Sequence, residues 1–290
     1  MKIFLAGCYP RPWILDNFIE NMKIYLGGVW PWRNTGIYDT VTSKFNPYIL
    51  ESFFYADAHT ERLLPYFGDF LLDSGAFTFM QGKGGVPDWN KYVEKYSDFI
   101  KRNNVQKFFE LDIDSVIGYP AVLKLREKLE ALTNRQCIPV WHVSRGMREF
   151  RSMCEKYSHV AIGGIVSKEI PPDKYGGLPP LIREAHKCGA KIHGLGFTSL
   201  QWLPRCHFDS VDSTAWTAGN RFGYLFYFDG KTMQKKPVPK GHRISDTQGA
   251  ALHNFIEWVK FQQYAETHFK HVRKPRKKNQ KRIEGYNEKN

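Results

Sequence analysis

Short apolar runs alternate with segments of helical periodicity from residue 69 onward, and this alternation limits the fold more than any other feature of the chain. Each run is bounded by polar residues, which is typical of strands buried on both faces of a parallel sheet. The intervening segments are amphipathic, as expected of helices that cover such a sheet. The predicted strands are residues 70–72, 108–111, 138–141, 160–165, 192–197 and 208–211. The predicted helices are residues 89–103, 120–134, 147–157, 178–188 and 199–205.

Two further apolar segments complete the pattern. An opening strand at 3–6 and a closing strand at 224–228 bring the total to about eight strands with helical crossovers, the pattern of a closed α/β barrel. The length of 290 residues is close to the usual size of one such barrel. We therefore predict an α/β protein that forms a single (β/α)8 TIM-type barrel over residues 1–270. An open, doubly wound sheet is the alternative.

Three segments depart from the repeat. Residues 8–68 are rich in Trp, Tyr, Asn and Pro and are predicted to form an irregular insertion near the barrel mouth. Residues 246–268 have apolar side chains on one helical face, which predicts a C-terminal helix packed on the barrel. Residues 271–290 are basic and poor in apolar side chains, so we predict a disordered basic tail.

The charge of the chain favours a polyanionic partner. The formal net charge is +13, and eight lysines and arginines lie between Lys270 and Arg282 with no acid among them. The rest of the chain keeps a smaller positive excess, so nucleic acid is the simplest partner, although a solubilising tail is the alternative. Five cysteines without a CxxC pair support neither a disulfide framework nor a cysteine-rich zinc site. The first apolar run is too short for a signal peptide or a membrane span, so we expect a cytoplasmic protein without a membrane partner.

Polar or glycine motifs follow nearly every predicted strand. The carboxyl ends of barrel strands converge on one mouth, where active sites lie. We therefore expect one cavity to be lined by Asp73, Asp112, His142, Gly164, His193 and Asp209.

Each of these residues also has a purely structural interpretation. A strand-end aspartate often caps the next helix, and a glycine pair such as Gly163–Gly164 often serves only a turn. Asp114 and Asp212 are predicted to be caps or supporting groups, although Asp212 offers the same chemistry as Asp209. The choice of nucleophile between Asp209 and Asp212 therefore stays open.

The residue types narrow the chemistry. The chain has no GxxxxGK[ST] loop for P-loop phosphoryl transfer and no HxH pair after the first strand, although a metal-dependent barrel hydrolase stays an alternative. Two carboxylates at a barrel mouth suit glycosyl transfer, in which one attacks the anomeric carbon and the other handles the proton. Asp73 and Asp209 are the predicted pair, with no cofactor and no metal.

Four motifs, in order, resemble those of tRNA-guanine transglycosylases. Residues 73–77, DSGAF, resemble the family's DSGG[FY] motif, and residues 162–165 resemble its GGL segment. Residues 193–196, HGLG, are similar to its MGVG segment, and residues 208–214, FDSVDST, are similar to its FDCVxPT stretch.

The resemblance implies a role for each matching residue. Asp209 matches the nucleophile that forms a covalent glycosyl intermediate, and Asp73 matches the general acid/base. Asp112 matches the carboxylate that reads the purine edge, and His142 stands where the family has a base-reading glutamine. The remaining residues expected to contact the substrate are Phe77 and His193 as a sandwich around the base, the glycines Gly163, Gly164 and Gly194, and Asp212.

The chain departs from that family in its shorter length and in having His193 and Ser213 where the motifs have methionine and proline, and also in its zinc site. The CxCxxC zinc cluster that follows the nucleophile in the family is absent after Asp209. The chain looks more like the compact 7-deazaguanine DNA transglycosylase (DpdA) family of phages and bacterial DNA-modification clusters. This resemblance implies that guanine in DNA is exchanged for a 7-deazaguanine base such as preQ0, in a bacterial or phage-infected cell. A tRNA substrate is the first alternative, and a non-catalytic nucleic-acid-binding barrel is the second.

Overall fold

Seven parallel strands form the central sheet of this α/β protein. The computed structural model describes residues 18–27, 46–80, 85, 87–197, 199–217, 222–237 and 244–273. The strands are β1 (Phe18–Asn21), β2 (Lys23–Leu26), β3 (Tyr48–Ser52), β4 (Asp69–Asp73), β5 (Val140–Trp141), β6 (His159–Ile162), β7 (Lys191–Gly194), β8 (Ser210–Ser213), β9 (Tyr224–Phe228), β10 (Met233–Pro237) and β11 (Lys270–Arg273).

Helices connect and cover these strands. The α-helices are α1 (Ala58–Leu63), α2 (Ala76–Met80), α3 (Trp89–Arg102), α4 (Asp114–Ile117), α5 (Tyr119–Thr133), α6 (Gly146–Lys156), α7 (Leu178–Lys187), α8 (Leu203–Cys206) and α9 (Thr247–His268). Short 3₁₀ helices span Leu64–Tyr66, Val143–Arg145, Pro172–Gly177 and Ala215–Thr217. The predicted helices at 89–103, 120–134, 147–157, 178–188 and 246–268 are confirmed within one residue at each end, whereas that at 199–205 is reduced to the single turn of α8. Among the described residues, no helix combines the length and the apolar character needed to cross a membrane.

The strand order of the curled sheet is β4-β3-β2-β8-β7-β6-β5. Strands that follow one another in the chain are neighbours, and β8 returns to pair with β2. A doubly wound sheet instead grows outward from its middle in both directions, so this order does not fit the open-sheet alternative. Single parallel bridges from Leu72 to Phe108 and from Phe109 to Ile138 continue the pairing beyond β4 and β5 through segment 107–110.

Two strands of the sheet were not predicted. β2 and β3 lie inside residues 8–68, where an irregular insertion was expected, so that expectation is wrong for these segments. β2 opens with Lys23 and contains Tyr25, so it lacks the uniformly apolar character used to recognise the other strands. The opening strand expected at 3–6 lies outside the described residues. The strand expected at 224–228 is present as β9, but it pairs antiparallel with β10 in a separate hairpin.

Helix α3 shows how the sequence sets an element boundary and then anchors it. The Asp88 carboxylate accepts hydrogen bonds from the backbone N–H groups of Asn90 and Lys91, which fixes the first turn. The buried Tyr96 hydroxyl lies 3.1 Å from the backbone oxygens of both Leu72 and Phe109. The helix is thereby fixed against β4 and the segment beside it.

Helix α9 packs on the sheet through buried polar side chains as well as apolar ones. The Gln262 side chain donates to the backbone oxygens of Ile24 and Tyr48 and accepts from the Tyr48 N–H, so it joins β2 to β3. Asn254 accepts from the Phe226 N–H and therefore holds β9 against the helix. These buried amides satisfy strand-edge groups that would otherwise be costly to desolvate.

The basic tail begins later than expected. Residues 271–273 belong to β11, which pairs with β1, so the predicted disorder is wrong for these three residues. Residues 274–290, which contain the rest of the predicted tail, lie outside the described residues.

Candidate active site

A cavity of about 890 Å³ lies at the carboxyl ends of the sheet strands. This volume lies in the range of small-molecule pockets, about 300–1,000 Å³. Five residues predicted to contact one cavity do line it together: Asp73, Phe77, Asp112, His142 and Gly164. Asp212, assigned mainly a supporting role, lines it as well. The structure adds Leu50, Asp114, Ser144, Val166, Glu169, Leu195, Gly196 and Thr214.

Asp73 ends β4 and is partly buried at the cavity. Burial raises the pKa of its carboxyl to about 6, although a hydrogen bond from the Gly75 N–H to Oδ2, at 2.9 Å, opposes the shift. The carboxylates of Asp212 and Asp112 raise the pKa of Asp73 further. A carboxyl group poised in this way can both give and take a proton near neutral pH.

Asp212 lies in β8 and is held through one oxygen. Its Oδ1 accepts a hydrogen bond from the Gly196 N–H at 2.6 Å and lies 3.2 Å from Nε2 of His193. Nδ1 of the same ring lies 2.8 Å from the Ser210 hydroxyl, one strand away. The backbone of the loop at Gly196 and the buried His193 imidazole therefore fix the orientation of the Asp212 carboxylate.

Asp209 is not at the cavity, so its predicted place at the barrel mouth is wrong. β8 begins at Ser210, and Asp209 therefore precedes the strand at its amino end. The carboxylate is 5% exposed. Its Oδ2 accepts from the Ile192 N–H at 2.7 Å and lies 2.8 Å from Nε2 of His186. Asp209 joins β8, β7 and α7, which is a structural role.

The removal of the Asp209 carboxylate should therefore destabilise the fold. Asp209→Ala removes the acceptor that the His186 imidazole and the Ile192 N–H share, and we expect a loss of about 3–5 kcal/mol in the free energy of unfolding. Urea denaturation measures the loss, and Asp173→Asn, an exposed aspartate outside the cavity, is the neutral control. Unchanged stability in Asp209→Ala would contradict this structural role.

Three further residues expected to touch the substrate lie beneath the cavity or beside it. His193 is fully buried, with 0% of its surface exposed, so the expected sandwich of a base between Phe77 and His193 is wrong. Gly194 lies in β7, where an added Cβ would approach the Phe208 ring to 2.9 Å. Its role is close packing and not substrate contact. Gly163 does not line the cavity either.

His142 lies between two carboxylates. Its Nε2 is 2.9 Å from Asp112 Oδ2, and its Nδ1 is 2.8 Å from Glu169 Oε2. Desolvation lowers the pKa of His142, but the hydrogen bonds with Asp112 and Glu169 outweigh it and raise the pKa to about 9. At neutral pH the ring is therefore an imidazolium that donates from both nitrogens.

The glycine pair makes room for this arrangement. A Cβ at Gly163 would meet the His142 ring at 2.7 Å, and a Cβ at Gly164 would meet the Glu169 carboxylate at 2.7 Å. Gly164 also has a φ of +80°, a backbone conformation that residues other than glycine rarely adopt. Sequence reasoning missed Glu169 because it lies in an irregular segment after β6. The glycine pair was the signal that some side chain approaches the backbone there.

We expect Glu169→Gln to lower the pKa of His142 from about 9 toward its ordinary value. The pKa of His142 is higher in the folded protein than in the unfolded chain. The pairing of His142 with its carboxylates therefore stabilises the fold fully below about pH 6.5, and this contribution is lost as the pH rises through about 9. The full contribution is at most about 3 kcal/mol. Histidine NMR titration measures the pKa, with Glu127→Gln on the exposed face of α5 as control. An unshifted titration of His142 would show that Glu169 does not act on it.

Arg145 neutralises the acidic side of the cavity. Its guanidinium donates to Asp114 Oδ2 at 2.8 Å and reaches Asp112 Oδ1 at 3.4 Å. One ligand atom from each of Asp112, Asp114 and His142 lies within 4.8 Å of the others, a spacing that a metal ion could use. The guanidinium and the imidazolium offset part of the charge of the three nearby carboxylates, which are Asp112, Asp114 and Glu169. His142 would have to lose a proton before it could bind a metal.

The rim of the cavity is apolar. Phe77 is 46% exposed and Val166 is 59% exposed, and both line the cavity. A polar floor beneath an apolar rim suits a flat heterocycle with hydrogen-bonding groups on its edge.

Comparisons with known proteins assign no family to the chain. No protein-family model matches the chain, and no curated protein matches it. The carboxyl transferase domain of Rhizobium etli pyruvate carboxylase, solved with pyruvate, has a TM-score of 0.44 and 13% identity, and the match covers 84% of this chain and 48% of that one. The same domain with oxalate has a TM-score of 0.44 and 12% identity, covering 88% and 50%. The chain thus spans about half the length of these structures, and at this level of similarity they indicate neither a substrate nor a reaction for it.

Proposed function

We propose that this protein is a base-exchange transglycosylase that replaces guanine in DNA with a 7-deazaguanine base. The observation that carries the proposal is the pair of carboxylates at the carboxyl ends of two sheet strands, Asp73 on β4 and Asp212 on β8, which line one cavity. The motif resemblance around residues 73–77 and 208–214 supports the same chemistry. In this proposal Asp212 is the nucleophile, the role for which the sequence resemblance favoured Asp209.

Asp212 forms and breaks the bonds to the sugar in this proposal. Both described hydrogen bonds of its carboxylate go to Oδ1, so we assign the attack on C1′ to Oδ2. The bond from C1′ to N9 of guanine breaks as the ester bond forms, and the electron pair leaves with the guanine. The incoming base then attacks C1′ from the opposite face and releases the carboxylate. Two displacements give retention of configuration.

Asp73 handles the protons of both steps. Its raised pKa, about 6, allows the protonated form to give a proton to the departing guanine. The resulting carboxylate then accepts the proton that the incoming base loses from N9. Each exchange returns Asp73 to the protonation state in which it started.

Other residues that line the cavity suit the edge of a guanine-like base. Such a base presents N–H donors beside one carbonyl oxygen. Asp112 is an acceptor for the donors, the imidazolium of His142 lies 2.9 Å from it, and Gly164 lines the same cavity. The exposed ring of Phe77 offers an apolar face for stacking.

The proposal includes a complete (β/α)8 barrel around this site. Segment 107–110 bridges to Leu72 on one side and to Ile138 on the other, between the two edge strands of the seven-stranded sheet. Counted as a strand, it would close the ring of strands into a barrel of about eight. The site would then be the usual mouth of such a barrel.

The net charge of +13 supports a nucleic acid as the carrier of the exchanged base. A base in a duplex must leave its stack before it can enter a cavity of this size. The contacts to phosphate would be independent of sequence and would weaken with salt.

The direct test is chemical. The protein is incubated with DNA and a 7-deazaguanine base, the DNA is digested to nucleosides, and the nucleosides are analysed by mass. We expect the modified deoxynucleoside with the wild-type protein and with Asp173→Asn, and at least about a thousandfold less of it with Asp212→Asn. The assay is run in parallel with tRNA. A modified ribonucleoside from tRNA without a modified deoxynucleoside from DNA would show that DNA is not the substrate. No exchange on either nucleic acid would favour a binding protein without this activity.

A further inference from the structure

The hairpin of β9 and β10 exposes aromatic rings and lysines together at its open end. Phe222, 69% exposed, lies parallel to the Tyr224 ring, with an interplanar angle of 8° and centroids 6.5 Å apart. The Lys235 ammonium lies 4.9 Å from the Tyr224 centroid, and the Lys236 ammonium lies 4.1 Å from that of Tyr227. Tyr227 pairs with Gln234 nearer the turn, so we call only Phe222, Tyr224, Lys235 and Lys236 the aromatic–lysine end of the hairpin.

Contacts through α9 link this hairpin to a segment that lines the cavity. Ala215 lines the cavity, and its neighbour Trp216 packs on Phe255 of α9 at 5.0 Å between centroids. Asn254, adjacent to Phe255, accepts the hydrogen bond from the Phe226 N–H of β9. The open end of the hairpin therefore lies nearer to the Trp216–Phe255 contact than its turn does, because Phe228 in turn contacts Phe261 and Tyr264 farther along α9.

The charge of the hairpin is positive at this end. Residues 222–237 contain three lysines, and Asp229 is their one acid. The Asp229 carboxylate lies at the turn, where it accepts from the N–H groups of Lys231 and Thr232 and from the Gln234 amide. It is therefore separated along β10 from Lys235 and Lys236, both of which are exposed.

We infer that the aromatic–lysine end of the hairpin binds an unpaired stretch of DNA next to the nucleotide whose base is exchanged. Flat aromatic rings stack on any base, and lysines beside them meet the phosphates, which is the usual way to hold a single strand without reading its sequence. A protein that extracts a base can use such a surface, because the neighbouring nucleotides lose a stacking partner. The inference rests on the proposed function for the identity of the strand. Protection of an exposed edge strand is the competing explanation for the lysines.

The test is DNA binding measured by fluorescence anisotropy with a labelled single-stranded oligodeoxynucleotide. We expect Phe222→Ala to weaken binding by roughly 5- to 100-fold. We expect the double variant Lys235→Gln, Lys236→Gln to lower the slope of log Kd against log salt concentration by about 1.4, since two phosphate contacts are lost. Tyr66→Ala, at an exposed aromatic residue near the amino end of β4, and Lys124→Gln, at an exposed lysine on α5, are the matched controls and should bind as the wild type does.

Wild-type affinity in both hairpin variants would overturn the inference and would show that the lysines only protect an edge strand. Tighter binding of RNA of the same sequence would overturn the choice of DNA. Base exchange is measured on the same samples, so that the two proposals fail separately. If the wild type exchanges the base and the hairpin variants bind DNA as the wild type does, only the proposed role of the hairpin is wrong. Weakened binding in the variants without exchange by the wild type removes only the proposed reaction.

Discussion

Asp212→Asn is expected to reduce base exchange by about 10³- to 10⁶-fold, since it removes the nucleophile but little else. The amide is the same size as the carboxylate, and its oxygen can still accept from the Gly196 N–H. The folded structure should therefore persist. Rates of nucleoside formation, measured at equal folded concentration by mass analysis, check the prediction.

Asp209→Asn is the matched comparison, because it makes the same change three residues earlier in the chain. Its side chain lies outside the cavity, so we expect stability to fall while the rate for each folded molecule stays near that of the wild type. The opposite result, an active Asp212→Asn and an inactive but folded Asp209→Asn, would return the nucleophile to Asp209.

Asp73→Asn is expected to reduce exchange by about 10²- to 10⁴-fold, the usual contribution of a general acid or base. If proton transfer to the departing guanine limits the rate, the wild-type rate should fall as the pH rises through about 6, the raised pKa of Asp73. Asp73→Asn should lack this inflection. A pH–rate profile of both proteins tests the assignment, and an inflection that persists in the variant would assign it to another group.

Stability distinguishes this loss of activity from unfolding. The folded pKa of Asp73 exceeds its unfolded value, so its ionisation lowers stability as the pH rises from about 4 to about 6. Above that range the ionised carboxylate costs the fold roughly 2–3 kcal/mol, and Asp73→Asn should recover part of that cost. Urea denaturation of the variant at pH 8 should therefore show equal or greater stability. A clear loss would mean that Asp73 is structural.

Much of the fold could be predicted from the sequence because its strands are apolar and short. Asp73, Asp112 and His142 were placed correctly, since each follows an apolar run that ends where a parallel strand should end. β2 and β3 were missed because they contain polar side chains such as Lys23 and Glu51 within the strand.

The position of Asp209 was mispredicted because the apolar pair of Phe208 and Val211 suggested a strand centred there. The strand instead continues through Asp212, and all four of its residues, polar ones included, are buried. No local pattern reveals that a serine and an aspartate are buried in a strand, since their partners, such as His193, come from a neighbouring strand. The partnership of Glu169 with His142 depends equally on contacts that only the folded chain creates.

A covalent intermediate is the feature that most directly separates this mechanism from the alternatives. The protein is mixed with a guanine-containing oligodeoxynucleotide without an incoming base, quenched in acid and analysed by intact mass and peptide mapping. We predict an adduct of the oligonucleotide lacking one guanine, located on Asp212 by cleavage of the chain between Asp209 and Asp212 and absent from Asp212→Asn. An adduct on Asp209, or exchange that proceeds without any adduct, would contradict the mechanism.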